Sequence, residues 1–507
     1  MIELKTRTIS LLLVLLFLLS ALYSAGCKIS AKTSQYAVDS QIDVIHVPSA
    51  NYSTIQEAID HATPGDQILV QAGTYLENIV INKSISLVGE DRELTIINGT
   101  QTGAVINITA SNVNVTGFTL GKSGLGTPSD SGIFVEYSSN VAISNNKIAK
   151  NYEGITILFC SNIAISDNNI SINGYDGISI YSSVNVMVSN NVILSNFYNG
   201  ISFYSSGYNV VSGNTISNSY NGIRFTLSSN NTVYHNNFDN RYQVLSDSTN
   251  IWSSGNEGNH WSHYTGQDVN GDGIGDLPYS IDENNQDNYP LEGTFSDFNI
   301  ALEEEYHVTV ISNSTVSDLG FEIGSETGNK MIHFKAIGEE STAGFCRIKI
   351  PSALMDYPFI VLVDNKEIVP TLLGFSSMEY SFLYFTYMHS IHTISIISSR
   401  VFLLYTQLFD NYITLQKDLY DLNQTYSELL GKYNILSENN TRLQEDYSEL
   451  NMSYQKQLIN YSEAAQNIQN LTYIFAATTA IFLVTTAYLS KRAHVSASTR
   501  VKSTEEE

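Results

Sequence analysis

The chain has 507 residues, with 50 acidic and 25 basic side chains and a formal net charge of −25. That charge excludes a general nucleic-acid binder, which needs a basic surface to meet phosphates, while the length allows two or three domains with sizeable cores. The three cysteines, Cys27, Cys160 and Cys346, lie far apart without a CxxC spacing, so neither a disulfide framework nor a zinc site is indicated.

Residues 1–26 read as a secretory signal: Lys5 and Arg7 precede an apolar run from Ile9 to Leu22, followed by small residues. Cys27 follows Ser24-Ala25-Gly26, but the aliphatic residue expected three before a lipidated cysteine is missing. Residues 51–90 then read as a short helix from Thr54 to His61, a turn at Pro64-Gly65, and strands.

The middle of the chain repeats. Gly132, Gly154, Gly177, Gly200 and Gly222 are spaced by 22, 23, 23 and 22 residues, and each is followed by isoleucine. Fourteen residues after each glycine stands an asparagine: Asn146, Asn168, Asn191, Asn214 and Asn236. The period is too short for paired helices, and runs such as Ile163-Ala164-Ile165 alternate as strands do. Each copy therefore makes one coil of a parallel β-helix, with coils about 4.8 Å apart. The asparagines read as scaffold at the bends, stacking from coil to coil. The helix at 54–61 is the cap that closes the open end of such a solenoid.

Residues 45–292 resemble the pectin-lyase-like right-handed parallel β-helix superfamily. They look closest to its NosD-like branch, known from periplasmic copper-maturation proteins and archaeal surface proteins. The resemblance implies a fold more than an activity. Enzymes of this fold carry clustered carboxylates or a Lys/Arg base. Here the acids Asp130, Glu136, Glu153, Asp167, Asp176, Asp239 and Asp247 read as scattered. Asp176, with Glu153 and Asn199 at the matching place in neighbouring copies, reads as a solvated turn position. No catalytic residue is assigned, and an enzyme is the lesser expectation. The aromatic residues Tyr181, Phe203, Tyr204, Tyr208 and Tyr220 are the candidate ligand face, because aromatic rings with hydroxyls and amides around them suit sugars. Taken singly, each reads first as coil-to-coil stacking.

The stretch DVNGDGIGD, 268–276, places Asp268, Asn270, Asp272 and Asp276 at alternating positions with Gly273 at the sharp turn. Position 12 of an EF-hand would be Tyr279, not Glu, and Pro278 forbids a following helix, so this is no EF-hand. Hard oxygen ligands in this spacing, with Asp282 as a further donor, favour Ca²⁺ over a metal-free Asx turn. The resemblance makes this segment a C-terminal cap of the β-helix. Copper is not indicated, since soft-ligand clusters are absent.

Residues 297–400 carry strand-like runs at 307–312, 345–350, 359–363, 381–387 and 392–397, which predict a β-sandwich. In 404–470, Tyr412, Leu419, Tyr426, Tyr433, Asn440, Tyr447, Tyr454 and Tyr461 recur every seven residues, with Leu415, Leu422, Leu429, Leu436, Leu443 and Leu450 three positions later. That seam predicts a coiled-coil stalk of roughly 100 Å and a homo-oligomer. Residues 471–490 hold no charge and are followed by Lys491 and Arg492, a membrane helix with the tail 491–507 in the cytoplasm. Thirteen N-x-Ser/Thr sequons agree with an external bulk. The chain thus reads as mainly β: a right-handed parallel β-helix, a β-sandwich, a coiled-coil stalk and a C-terminal transmembrane helix. The expected role is a cell-surface protein that binds or adheres to carbohydrate or envelope polymer. A polysaccharide lyase or hydrolase and a purely structural envelope component are the alternatives.

Overall fold

A computed structural model describes residues 43–325, 328–398, 400–439 and 444–501. The signal segment 1–26, Cys27, the seam residue Asn440 and the end of the tail fall outside these residues.

The repeats wind into three parallel sheets of nine, eight and nine strands. Each coil gives one strand to each sheet, so the solenoid has about nine coils. Pairing follows the repeat in register: Ile133 lies beside Ile155, Ile155 beside Ile178, Ile178 beside Ile201, and Ile201 beside Ile223. These isoleucines are fully buried, and the core continues through Phe203, Phe225 and Phe238 to Trp261. The glycines permit the close stacking: a Cβ on Gly177 would meet the carbonyl oxygen of Gly200 at 2.6 Å.

Helix α1 (Ile55–His61) closes the first coil. Thr54 caps it in a box with Glu57, and Ile55, Ala58 and Ile59 are buried. Its ends are also held by the next coil. Glu77 accepts the free amides of Ile55 and Gln56, and Lys83 donates to the carbonyls of Ile59, Asp60 and Ala62. Anion at the N-terminus and cation at the C-terminus both match the helix dipole.

The asparagines form a continuous buried ladder. Each side-chain amide donates to the next Oδ1, at 3.2 Å from Asn146 to Asn168 and 2.9 Å from Asn191 to Asn214, Asn214 to Asn236 and Asn236 to Asn259. Each also donates to backbone carbonyls, so every rung is satisfied at a bend the sheets leave unpaired.

Residues 294–398 form two antiparallel five-stranded sheets packed on Val308, Val310, Ile332, Phe334, Ile348, Ile394 and Ile396. All five sequence-marked runs are strands. The strands Thr294–Ala301, Thr315–Ile323 and Lys330–Ile337 carried no such signal, because charged or half-buried residues dilute their alternation.

The helical part departs from one uninterrupted rod. It comprises α2 (Arg400–Asn439) and α3 (Gln444–Val501). Tyr426 of α2 meets two residues of α3: its hydroxyl lies 2.5 Å from that of Tyr454, and its ring 6.2 Å from that of Tyr461. Nearer the ends, Tyr405, Phe409 and Tyr412 share an apolar groove with Leu471, Phe475 and Thr479. The seam therefore faces itself within one chain, antiparallel, while Leu422 and Leu429 stay 49% and 61% exposed. A heptad fixes which face seeks a partner but not the direction of that partner. Within α3, Leu450–Ala487 is long and apolar enough to cross a membrane.

Candidate functional site

The outer face of one sheet carries two aromatic rails. Strands Glu153–Leu158, Ile178–Tyr181, Asn199–Tyr204 and Asn221–Thr226 lie side by side there. Two residues before each glycine is a tyrosine, and Tyr152, Tyr175, Tyr198 and Tyr220 stack at 5.7, 5.3 and 5.9 Å. Across the strands, Tyr181 and Tyr204 stack at 4.9 Å.

Between the rails lies a buried polar strip. Glu153 and Asp176 are both 0% exposed. Ser179 Oγ is 2.8 Å from Glu153 Oε2 and 3.3 Å from Asp176 Oδ2, so one hydroxyl touches both carboxyls. Ser202 Oγ (2.6 Å), the Asn199 side-chain amide (2.7 Å) and the Asn199 backbone amide (2.9 Å) also donate to Asp176. Glu153 Oε1 has no partner. Burial, and then the charge of Asp176, push the Glu153 pKa up to about 9, so Glu153 is protonated at neutral pH. Asp176 is also raised by burial, against the pull of its hydrogen bonds. Burial and Asp176 together push Tyr204 up to about 12.

This corrects the solvated-turn reading of Asp176, Glu153 and Asn199. Glu153 and Asn199 open strands and Asp176 lies two residues before one; all three are buried, beside the neighbouring tyrosines. Glu153 and Asp176 do recur at one offset in adjacent copies, beside a tyrosine one residue earlier. That pattern is visible in the sequence and was the available signal.

The candidate ligand residues separate. Phe203 is fully buried and stacks on Phe225 at 4.9 Å, because it occupies the inward offset of Ile157 and Ile180; it cannot touch a ligand. Tyr181 and Tyr204 present edges rather than faces, since their faces cover each other. Tyr220 belongs to the longer rail and is 41% exposed; Tyr208 is 67% exposed.

In the 268–276 loop the acids serve the backbone. Asp268 accepts the amides of Gly271, Asp272 and Gly273; Asp272 accepts that of Ile274; and Asp276 accepts that of Val269. Asn270 Nδ2 is 3.5 Å from Asp276 Oδ1. Asp282 lies in the separate hairpin Tyr279–Asp287, bonded to Asn284 and Asn285. Among the described residues, no group of three or more His, Cys, Asp or Glu is arranged to hold a metal ion.

Two further clusters were not expected from the sequence. Glu257 joins solenoid to sandwich, 2.7 Å from His235 Nε2 and 2.5 Å from Arg347 Nη2. Burial would raise its pKa; the bonds from His235 and the Arg347 charge override this and hold it near 2. In the sandwich, Ser390, His392 and Asp364 stand in the order of a hydrolase triad, at 3.1 and 2.7 Å. However, His392 Nε2 lies closer to the Met388 carbonyl, at 2.6 Å, and must donate to it. Burial favours the neutral ring, but Asp364 and that carbonyl together raise the pKa. The ring ties the Asp364 carboxyl to the Met388 carbonyl, and its Nε2 is engaged there rather than free to act on Ser390.

The fold and site define a parallel β-helix carried on a chain with a C-terminal apolar helix. Residues 59–266 match the model of the NosD family, described as periplasmic copper-binding protein (NosD). A cell surface glycoprotein of Methanothermus fervidus is 37% identical over 105 residues, 20% of this chain and 16% of that protein, so the chain matches only a small part of its relative. Among solved structures, an alginate lyase from a Paenibacillus species aligns at 16% identity over 40% of this chain and 91% of its own, with TM-score 0.27. A Yersinia enterocolitica exopolygalacturonase aligns at 15% over 43% and 58%, with TM-score 0.34. The β-helix is NosD-like, and it fits a surface protein together with the apolar helix and the glycoprotein relative. Among the described residues, no group of His, Cys, Asp or Glu is gathered as a metal centre would need. Cys160 and Cys346 are buried apart in different cores, and burial lowers the His260 pKa to about 4 without gathering other soft donors around it.

Proposed function

We propose that this is a membrane-anchored surface protein whose solenoid head binds or adheres to carbohydrate or another envelope polymer. The observation that carries this reading is the pair of aromatic rails, which repeat ring edges and hydroxyls at coil spacing along one outer face. A linear polymer with a regular repeat is the ligand that such a one-dimensional surface suits. In this reading the bulk of the chain lies outside, the apolar part of α3 crosses the membrane, and 491–507 lies inside. Entry into a bilayer would require α2 to leave the groove it shares with Leu471 and Phe475. Self-association would use the seam so released, and Ca²⁺ would reinforce the 268–276 loop.

A lyase or hydrolase is the second reading. It is favoured by the Glu153–Asp176 pair, two buried carboxyls that share one serine hydroxyl, since paired carboxyls are what acid–base chemistry on a sugar uses. Access would require the tyrosines above to move, since neither acid is exposed. A glycan array with the detergent-solubilised full chain, with and without calcium, separates the readings. Retention without turnover supports binding, product release supports the enzyme, and complete silence leaves a structural envelope component.

A further inference from the structure

The longer rail does not end on a tyrosine. After Tyr220 the next rung is Arg241, whose guanidinium carbon lies 5.2 Å from the Tyr220 ring centre and 5.7 Å from that of Tyr242. Those two rings meet edge-on, at 5.3 Å and 64°, so the guanidinium sits in the corner they form. The next rung of the shorter rail is Thr226, and Arg224, two residues before it, lies 5.6 Å over Tyr204. An arginine lying on aromatic faces loses side-chain freedom yet keeps its N–H edge for a planar acceptor.

The two arginines differ in their surroundings. Arg224 Nε donates to Thr226, and Asp247 lies near enough to feel its charge. Among the described residues Arg241 takes part in no ion pair, although the chain has twice as many acids as bases. Beside it opens a cavity of about 190 Å³, lined also by Tyr242, Gln243, His263 and Tyr279. Gln243 is 5% exposed and fixed on both sides of its amide. Its Oε1 accepts from Asn240, and its Nε2 donates to Ser262 Oγ at 2.9 Å and toward His263 Nδ1 at 3.5 Å. The His263 ring is exposed and stands at the cavity wall beside that amide.

We propose that this cavity is an anion subsite in which Arg241 grips a carboxylate or phosphate group on its free N–H edge, with the His263 ring beside it. The subsite rests on the polymer-binding reading and deepens it, by requiring the bound polymer to carry an acidic group where the rail ends. The net charge of −25 opposes diffuse polyanion binding, so an anion held here is held by local geometry.

Arginine-specific labelling tests it. The full-length protein in detergent is treated with phenylglyoxal alone, with inorganic phosphate, with glucuronate, and with neutral glucose. Modification of Arg241 is followed by peptide mass spectrometry, with the half-buried Arg92 as internal reference. At about ten times a millimolar Kd, a bound anion should slow Arg241 labelling about tenfold. Phosphate or glucuronate should do this, glucose should not, and Arg92 should be unaffected. Protection by glucuronate alone identifies an acidic sugar, and protection by phosphate alone identifies a phosphate-bearing partner. Tyr220→Leu keeps the arginine but removes its clamp, and should abolish most of the protection. Unchanged Arg241 labelling in every arm, or equal slowing of Arg92, overturns the subsite. Retention of neutral glycans on the array in that case would leave polymer binding intact.

Discussion

Asn259 hands the asparagine ladder to Asp287: its backbone amide donates to Asp287 Oδ2 at 2.8 Å and its side-chain amide to the same oxygen at 3.4 Å. Asp287 also accepts from Trp261 Nε1 and the Tyr289 amide, and is itself fully buried. Each asparagine passes one donor forward, so the last rung must only accept, which a carboxylate does and an amide does not. Asp287→Asn should therefore set donor against donor and cost about 2–3 kcal/mol. Urea unfolding followed by circular dichroism measures it, and a change below half a kilocalorie would contradict this role.

Interruption inside the ladder should cost more than at its end. Asn191 accepts from the backbone amide of Asn168 and donates to the Ile165 and Ser189 carbonyls, so Asn191→Ala strands one buried donor and removes the donor of two carbonyls. A loss of about 3–4 kcal/mol is expected in the same unfolding assay.

The acid pair makes solenoid stability depend on pH. The folded-state pKa of Glu153 is raised to about 9 from 4.5, so the folded state binds a proton that the unfolded chain releases. The Glu153 contribution should be full below pH 4.5 and fall as pH rises toward 9. Glu153→Gln mimics the protonated form. It should flatten that slope and gain at least about 1–2 kcal/mol at pH 8.5. Denaturation midpoints at pH 5, 7 and 8.5 check this; parallel curves for the two proteins would refute it.

Glu257 works in the opposite sense. Its folded pKa is depressed to about 2, so its contribution is present above 4.5 and is lost as pH falls toward 2. Arg347→Met leaves Glu257 buried beside His235 alone and should destabilise by about 3 kcal/mol at pH 7. Adding Glu257→Gln should recover most of that loss, and the double-mutant cycle in thermal unfolding reads the coupling.

The helical hairpin predicts a cross-link. With Tyr426 and Tyr454 replaced by cysteine, a flexible bismaleimide that spans the length of the two tyrosine side chains should give an intrachain cross-link, seen as a faster-migrating monomer on gels. Predominant cross-linked dimers would show instead that the seam pairs between chains.

The sequence by itself determined the solenoid, because the constraint repeats. Gly177 must lack a Cβ for the next coil to approach, Ile178 must point inward, and Asn191 must fill the bend, and the same demands return one coil later. It also marked the sandwich strands where alternation was undiluted, and the apolar stretch of α3. What only the tertiary structure decided is where side chains meet between coils and between domains. Period-two alternation could have shown that Phe203 faces the core, but nothing local shows that Tyr175 and Tyr181 lie close enough to seal Glu153 and Asp176 from water. The Glu257–Arg347 contact joins residues 90 positions apart, a distance at which sequence spacing carries no geometry. The direction in which the heptad seam closes is likewise absent from its period, since parallel and antiparallel partners satisfy one apolar stripe equally, and only the three-dimensional packing selects between them.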